Sequence, residues 1–486
     1  MTVAPDAGAG PLLGWYGDDF TGATDTLAAL AHARLRALLF MGVPTPAQLA
    51  AAGPLEAVGI AGAARAMSPA AMLAELEPVG RFFAGLHVPV LHYKVCSTFD
   101  SAPGIGSIGA AIRTLRPHVA NAFVPIVGGQ PNIGRYCAFG TLFAVAGLGG
   151  VVHRIDRHPT MSRHPVTPMH EADLRVHLAA QGLPEIGAIH YPAYDAGAVA
   201  QDALLDAELA RIAKRADSDV QARADIDVQA RADVDVQARA DSDVRAVLFD
   251  VAHVSHLAAV GRSIWQHARH RRLLAVGSSS VVQALAAHLN ESDRAATAFS
   301  IPALAPAIGP VFVLSGSMSP VTATQIDAAI GYERLPADVS RLVGDAGYAD
   351  QLVERITAGL RAQRNVLVCT TVPGGAAPDA TAARHIAQAT AALAARVIHQ
   401  MVPIAPLRRI GIAGGDTSSH VVQALGVWGL SYQTTMAPGV TLSRAHSDSP
   451  ALNGLELMLK GGQMGDTDLF GRLVTGGQDG RKTSRD

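Results

Sequence analysis

Short apolar runs recur along the chain at intervals that one helix can fill, and this alternation constrains the fold more than any other feature. The runs lie at 12–16, 37–41 (ALLFM), 56–62 (EAVGIAG), 89–95 (PVLHYKV) and 122–127 (AFVPIV). Stretches with helical patterning, such as 68–86, separate most of them. Strands alternating with helices predict a parallel α/β sheet. The first run leads into a turn, Gly17-Asp18-Asp19, and a helix is expected to open near Thr21. After the run 246–250 (AVLFD), helices are expected over 253–268 and 278–289. The Pro/Ala-rich stretch 299–310 reads as a linker. A second α/β block starts with 311–316 and continues through a helix from Thr322, strands at 365–370 and 409–415, and a helix over 417–426. The expected architecture is two α/β domains with parallel-rich sheets, 10–298 and 311–472, followed by a frayed tail, 473–486.

Residues 215–246 break the pattern. They read as four octads, RADSDVQA, RADIDVQA, RADVDVQA and RADSDVRA. Eight residues advance a helix by about 800°, so successive valines drift around the axis and make no continuous apolar stripe. The segment reads as a tandem expansion inserted before a strand, expected to be exposed and mobile.

Charge excludes one class of function. The chain has 39 basic and 41 acidic residues, a net charge of −2, which argues against nucleic-acid binding by bulk charge. Three cysteines (Cys96, Cys137, Cys369) lie far apart without CxxC spacing, so a cytoplasmic setting without disulfides is expected. No basic leader opens the sequence, and no apolar run reaches the ~18–20 residues of a membrane helix. No membrane partner is expected, and a homodimer is the expected assembly.

Three strand ends in the first block carry polar groups. Asp18-Asp19-Phe20-Thr21-Gly22 places two carboxylates at the usual ligand edge of an open α/β sheet, with a plain helix cap as the alternative. Lys94-Val95-Cys96-Ser97-Thr98 ends a second strand, and Gly128-Gly129-Gln130-Pro131-Asn132-Ile133-Gly134-Arg135 a third. Carboxylates for hydroxyls, with Lys and Arg for a carboxylate, suit a small anionic polyol. In the second block, Ser315-Gly316-Ser317, Gly414-Gly415-Asp416-Thr417 and Lys460-Gly461-Gly462-Gln463-Met464-Gly465 make three Gly/Ser turns. Such turns let backbone N–H groups approach a phosphate, and Lys460 would meet it as a point charge.

A competing signal is GIGSIG (104–109), which fits the GxGxxG pattern of a dinucleotide site. That site needs an acid about 20 residues further on, and 101–155 contains no Asp or Glu. No GxxxxGK[ST] P-loop is present either.

Together these motifs resemble the four-carbon acid sugar kinase family. DDFTGA (18–23) is similar to its opening signature and PNIGRYCAFG (131–140) to its Pro-x-x-Gly-Arg segment; Ser315-Gly316-Ser317 with Thr324-Gln325, GGDTS (414–418) and KGGQMG (460–465) follow its nucleotide-domain order. The resemblance implies a sugar-acid domain, an ATP domain with an active cleft between them, and phosphorylation of a terminal hydroxyl of a short, often 3-oxo, sugar acid using ATP and Mg²⁺. Carried over by position, Ser315, Ser317, Gly414, Gly415, Asp416, Thr417, Lys460, Gly461, Gly462 and Gly465 become nucleotide residues. Lys94, Ser97, Thr98 and Arg135 become substrate contacts, with Asp18 or Asp19 orienting or deprotonating the hydroxyl.

One departure matters. Where typical members read Lys-x-Asp-Ser-Thr-x-Arg-Gly-Asn, this chain has Cys96 and Asp100 in place of the aspartate and the arginine. Asp100, a carboxylate replacing a cation, is itself an expected substrate contact and implies a substrate other than a plain tetronate, and the variant resembles the branch acting on branched, apiose-derived sugar acids. The rivals are an NAD-dependent oxidoreductase and a non-catalytic sugar-acid sensor. The chain has only four lysines against 35 arginines. Lys214 abuts the octads and Lys482 lies in the tail, whereas Lys94 and Lys460 each stand at a candidate ligand loop.

Overall fold

Strands that are apolar along their whole length need cover on both faces, and this chain meets that need with parallel sheets. The computed structural model describes residues 10–477 except 148–149, 165, 227–243, 294–302, 372–379, 402 and 405–406. By internal packing the described residues divide into two units, one from 10–18, 33–36 and 54–293, the other from 19–32, 37–53 and 303–477.

Strands are numbered in chain order. The first unit contains β1 (Leu13–Gly17), β3 (Ala57–Ala61), β4 (Val90–Lys94), β5 (Phe123–Gly128), β9 (Ile186–Ile189), β10 (Arg245–Asp250) and β11 (Leu273–Gly277). All pairings among these are parallel, in the order β3-β1-β4-β11-β5-β10-β9. Their register levels the carboxyl ends. Gly17 neighbours Lys94, Lys94 neighbours Gly277, Gly277 neighbours Val127, and Gly128 neighbours Asp250. A small antiparallel sheet of β6 (Arg135–Ala138), β7 (Thr141–Val145) and β8 (Val152–Arg154) completes the unit's strands.

The second unit holds β2 (Ala37–Phe40), β12 (Val311–Ser315), β13 (Tyr332–Asp338), β14 (Asn365–Thr371), β15 (Arg409–Ala413), β16 (Gly429–Ala437), β17 (Val440–His446) and β18 (Glu456–Lys460). The run β13-β14-β12-β15-β18 is parallel, and β17, β16 and β2 continue it antiparallel. Two α/β bodies with parallel-rich sheets are therefore present, as the alternation predicts.

Some boundaries differ from those expected. The helix Phe20–His32 follows β1 in sequence but packs with β16, β17 and the helix Gly415–Ala424. Ala23, Leu27 and Leu30, one apolar stripe at helical spacing, are its buried face. Of the expected linker, 299–302 lie outside the described residues, while Leu304 bridges to Gly477 and the Ala307 N–H donates to Val474 O. The tail expected to fray from 473 begins as the last turn of the helix Leu469–Thr475, where Leu473 is buried; 478–486 lie outside the described residues. The helix Ala198–Ile226 runs through the first octad, in keeping with its Ala, Arg and Gln content. Octad residues 227–243 lie outside the described residues.

The glycines at 104–109 have a packing explanation. Gly106 has φ +60°, and Ser107 caps the helix Ile108–Leu115 by accepting from the Ala110 N–H. A Cβ on Gly109 would stand 2.1 Å from the carbonyl oxygen of Gln181, whose buried amide accepts the Ile108 N–H at 2.7 Å. Gly109→Ala should therefore cost about 1–3 kcal/mol in a urea titration. The wild type should show no thermal shift with NAD(H); a shift there would revive a dinucleotide site.

Candidate active site

In the second unit, Ser315, Ala413 and Lys460 are neighbours in one row across β12, β15 and β18. Each strand then opens into one of the three Gly/Ser turns, so these share the carboxyl edge of adjacent parallel strands. Gly414, at φ +124°, caps the helix Gly415–Ala424 and donates its N–H to Lys460 O at 2.9 Å. Gly415, Asp416 and Thr417 form the first turn of that helix, where backbone N–H groups have no intrahelical acceptor and the helix dipole favours an anion. Thr417 is buried, and a Cβ on Gly316 would lie 2.3 Å from its Oγ1, so the first two turns meet. Gly462 closes on the first turn as well, since a Cβ there would stand 2.6 Å from Ser317 Oγ. Gly461 faces more space, and Gly465 takes φ +88° where the loop turns back.

Two features of this edge set it apart from ordinary core. The buried hydroxyls of Ser315, Ser319 and Ser418 have no hydrogen-bond partner among the described residues, a cost of about 1–3 kcal/mol each unless a ligand or water fills it. Lys460 is fully buried, and its Nζ donates to Thr322 Oγ1 at 2.9 Å and Gly462 O at 3.5 Å, both neutral. Burial pushes its ammonium down to about 7.

The first unit gathers the other candidate residues. Asp18, buried beyond β1, donates its N–H to Lys94 O at 3.0 Å, and its carbonyl accepts the Arg65 N–H at 3.2 Å. Lys94, Ser97, Thr98 and Asp100 are all buried at or beyond the end of β4. Thr98 gives its hydroxyl hydrogen to Asp100, so the Cys96 thiol donates to the Thr98 oxygen at 2.9 Å. Asp100 also lies 3.8 Å from the Arg65 guanidinium. Between Thr98 and Asp100, Phe99 is buried in the left-handed region at φ +55°, local strain of the kind that gathers at ligand sites. Arg135 donates to Ile133 O at 2.9 Å, while its buried Nε has no partner among the described residues. Burial lowers its guanidinium below the ordinary value, and Cys96, Tyr136 and Asp100 oppose that shift by their charge.

Asp19 belongs to the second unit. Its carboxylate accepts from Thr21 Oγ1 at 2.8 Å and from the Gly22 N–H at 3.1 Å, the geometry of a helix cap.

Comparison with known proteins decides the family. The family described as "Sugar-binding N-terminal domain" matches residues 13–285, and "Nucleotide-binding C-terminal domain" matches 312–470. The chain belongs to the four-carbon acid sugar kinase family. It is 38% identical over 485 residues to 3-oxo-isoapionate kinase of Paraburkholderia graminis, covering 96% of this chain and 95% of that one. It is 30% identical over 471 residues to 3-oxo-tetronate kinase of Methylobacterium radiotolerans, covering 95% and 98%. A crystal structure from Salmonella typhimurium LT2 matches with TM-score 0.70 at 25% identity, covering 95% and 98%.

Several residues at these edges escaped the sequence reading. Arg65 sits in a single 3₁₀ turn, Ala64–Ala66, and no motif marks it. Ser278, Ser279 and Ser280 are buried after β11, level with Lys94 through the Gly277 register; the string GSSS was the available signal. His92 is fully buried and pushed down to about 3 by burial, so the neutral ring donates to Gly277 O at 3.1 Å and braces that turn. Thr322, read from the sequence only as the start of a helix, and Gln325, read only as part of the family motif, are fully buried on the helix Pro320–Ala328, packed on the Lys460 loop.

An amine near 7 makes a pH prediction. It is charged below that value and neutral above, and a phosphate favours the charged form. The ATP dissociation constant, measured by calorimetry, should therefore weaken about fivefold from pH 7 to pH 8. Lys460→Arg, which does not titrate, should bind ATP more weakly throughout and give a flat profile over the same interval.

Proposed function

We propose that the chain is an ATP-dependent kinase for a short 3-oxo sugar acid, with 3-oxo-isoapionate as its substrate. The observation carrying the kinase reading is the row of three turns on β12, β15 and β18, with orphaned serine hydroxyls and a buried lysine at one edge. The substrate choice rests on the 38% identity to a 3-oxo-isoapionate kinase across nearly the whole of both chains. Asp100 agrees with it, because a carboxylate held by Thr98 and facing Arg65 suits an additional hydroxyl better than a carboxylate of the substrate.

Phosphoryl transfer asks for positioning and charge neutralisation more than covalent chemistry. In this proposal the backbone at Gly414–Thr417, the Ser315 and Ser317 turn, and the Lys460-Gly461-Gly462 loop to Gly465 hold the triphosphate. Among the described residues no group of three His, Cys, Asp or Glu could hold a metal ion by itself. Mg²⁺ would enter with the nucleotide. It would supply charge neutralisation as the phosphoryl group moves. Lys94 and Arg135 bind the sugar-acid carboxylate, and Ser97 and Thr98 contribute hydroxyl contacts. Asp18 orients and deprotonates the acceptor hydroxyl, because Asp19 spends both oxygens on its own helix.

No helix among the described residues is long and apolar enough to cross a membrane. A cytoplasmic location and a homodimer belong to the same proposal. Light scattering at twice the 50.3 kDa chain mass would support the dimer, and the single mass would remove it.

An ADP-release screen over C4 and C5 3-oxo sugar acids tests the substrate. The highest kcat/KM is expected with 3-oxo-isoapionate, and a higher value with 3-oxo-tetronate would transfer the assignment to that acid. Asp18→Asn should lower kcat at least 100-fold, within the usual span for a lost acid–base group. Asp19→Asn should cost more in thermal stability than in turnover. Lys94→Arg should raise the sugar-acid KM about tenfold or more and leave the ATP KM unchanged, since an Arg does not reproduce a compact ammonium.

A further inference from the structure

One hydroxyl joins two of the three turns at the nucleotide edge, the 315–319 turn and the 460–465 loop. Thr322 Oγ1 lies 2.9 Å from Gly462 O, 2.9 Å from Lys460 Nζ and 3.2 Å from Ser317 Oγ, and the residue is fully buried. A hydroxyl has one hydrogen and two lone pairs. The Gly462 carbonyl only accepts, so the hydrogen goes there. The lone pairs then receive a Lys460 N–H and the Ser317 hydroxyl hydrogen, which fills the group's capacity and fixes its direction.

The same helix grips the loop a second time. Gln325, three residues on and also fully buried, places its amide nitrogen 3.0, 2.8 and 3.0 Å from the carbonyl oxygens of Met464, Gly465 and Asp466. Residues i and i+3 lie on one helix face. The helix Pro320–Ala328 therefore carries the Lys460 loop on two side chains, against the first turn. An ammonium has three N–H groups, and the protein supplies Lys460 with two acceptors among the described residues. The third N–H is left for an anion.

We propose that Thr322 is a positioning residue for phosphoryl transfer: it aims the Lys460 amine and locks the 460–465 loop against the 315–319 turn, so that the remaining N–H meets the transferring phosphate. This rests on the nucleotide reading given above. Thr322 need not touch the nucleotide itself. Its effect reaches ATP through Lys460 and Gly462, and it leaves the sugar-acid contacts alone.

Thr322→Ser, Thr322→Val and Thr322→Cys, in the full-length chain, separate this role from ordinary packing. Thr322→Ser keeps the hydroxyl and should stay within about threefold of wild type in kcat/KM for ATP. Thr322→Val keeps the shape and loses the hydroxyl, and should lose at least 30-fold, with the sugar-acid KM within twofold. Thr322→Cys, a weak hydrogen-bonding group of similar size, should lose at least tenfold and serves if the valine variant does not fold. A folded valine or cysteine variant with wild-type ATP constants would overturn the proposal, as would a serine variant as impaired as the valine one. If the wild type showed neither ATP binding in calorimetry nor ADP release, the nucleotide reading would fall, and this inference with it.

Discussion

Parallel register is the constraint on which the rest depends. In a parallel sheet every strand points the same way, so all strand-to-helix turns emerge at one edge. Here the strand ends are level as well: Ser315, Ala413 and Lys460 form one row, and Gly17, Lys94 and Gly277 another. A slip of one residue in β18 would move Lys460 out of its row and turn its side chain to the other face. The chemistry of each unit is therefore fixed by hydrogen bonding along whole strands, most of whose residues are plain apolar core.

The buried lysine shows how that scaffold is used. A cation without a carboxylate partner is costly to bury, and the cost appears as an amine lowered to about 7. The chain prefers arginine elsewhere, with 35 against four lysines. At position 460 the cation has a threonine hydroxyl and a glycine carbonyl as partners. A planar fork with five donors would leave more groups unsatisfied in such a place than a compact amine does. The hydroxyls of Ser315, Ser319 and Ser418 on the same edge likewise find no partner among the described residues.

Much of this was legible in the sequence, and what was missed shares a cause. Apolar alternation gives both α/β bodies because each strand's burial is local. The three Gly/Ser turns were legible because the same residue pattern recurs at three strand ends, the edge where a parallel sheet presents its loops. Arg65 was not singled out, Thr322 entered only as the start of a helix and Gln325 only within a motif of the family, because their partners are remote: Asp100 for Arg65, and a loop about 140 residues away for Thr322 and Gln325. The GIGSIG pattern, set aside for want of a following acid, proves to serve packing, since Gly109 allows the close approach of Gln181. Asp18 and Asp19 look alike in sequence, yet one ends buried beyond a strand and the other caps a helix.

The placement of the helix Phe20–His32 also bears on how the protein is made. This helix and β2 leave the ribosome early, but their partners β16 and β17 follow some 400 residues later, as the His32–Tyr432 contact illustrates. At synthesis rates of about 5–20 residues per second, that interval is roughly 20–80 s. For that time an amphipathic helix and an apolar strand stay without part of the surface that buries them, and transiently exposed apolar surface of this kind favours aggregation. Neither unit is one contiguous stretch of polypeptide, so no single cut in the gene yields both as complete proteins.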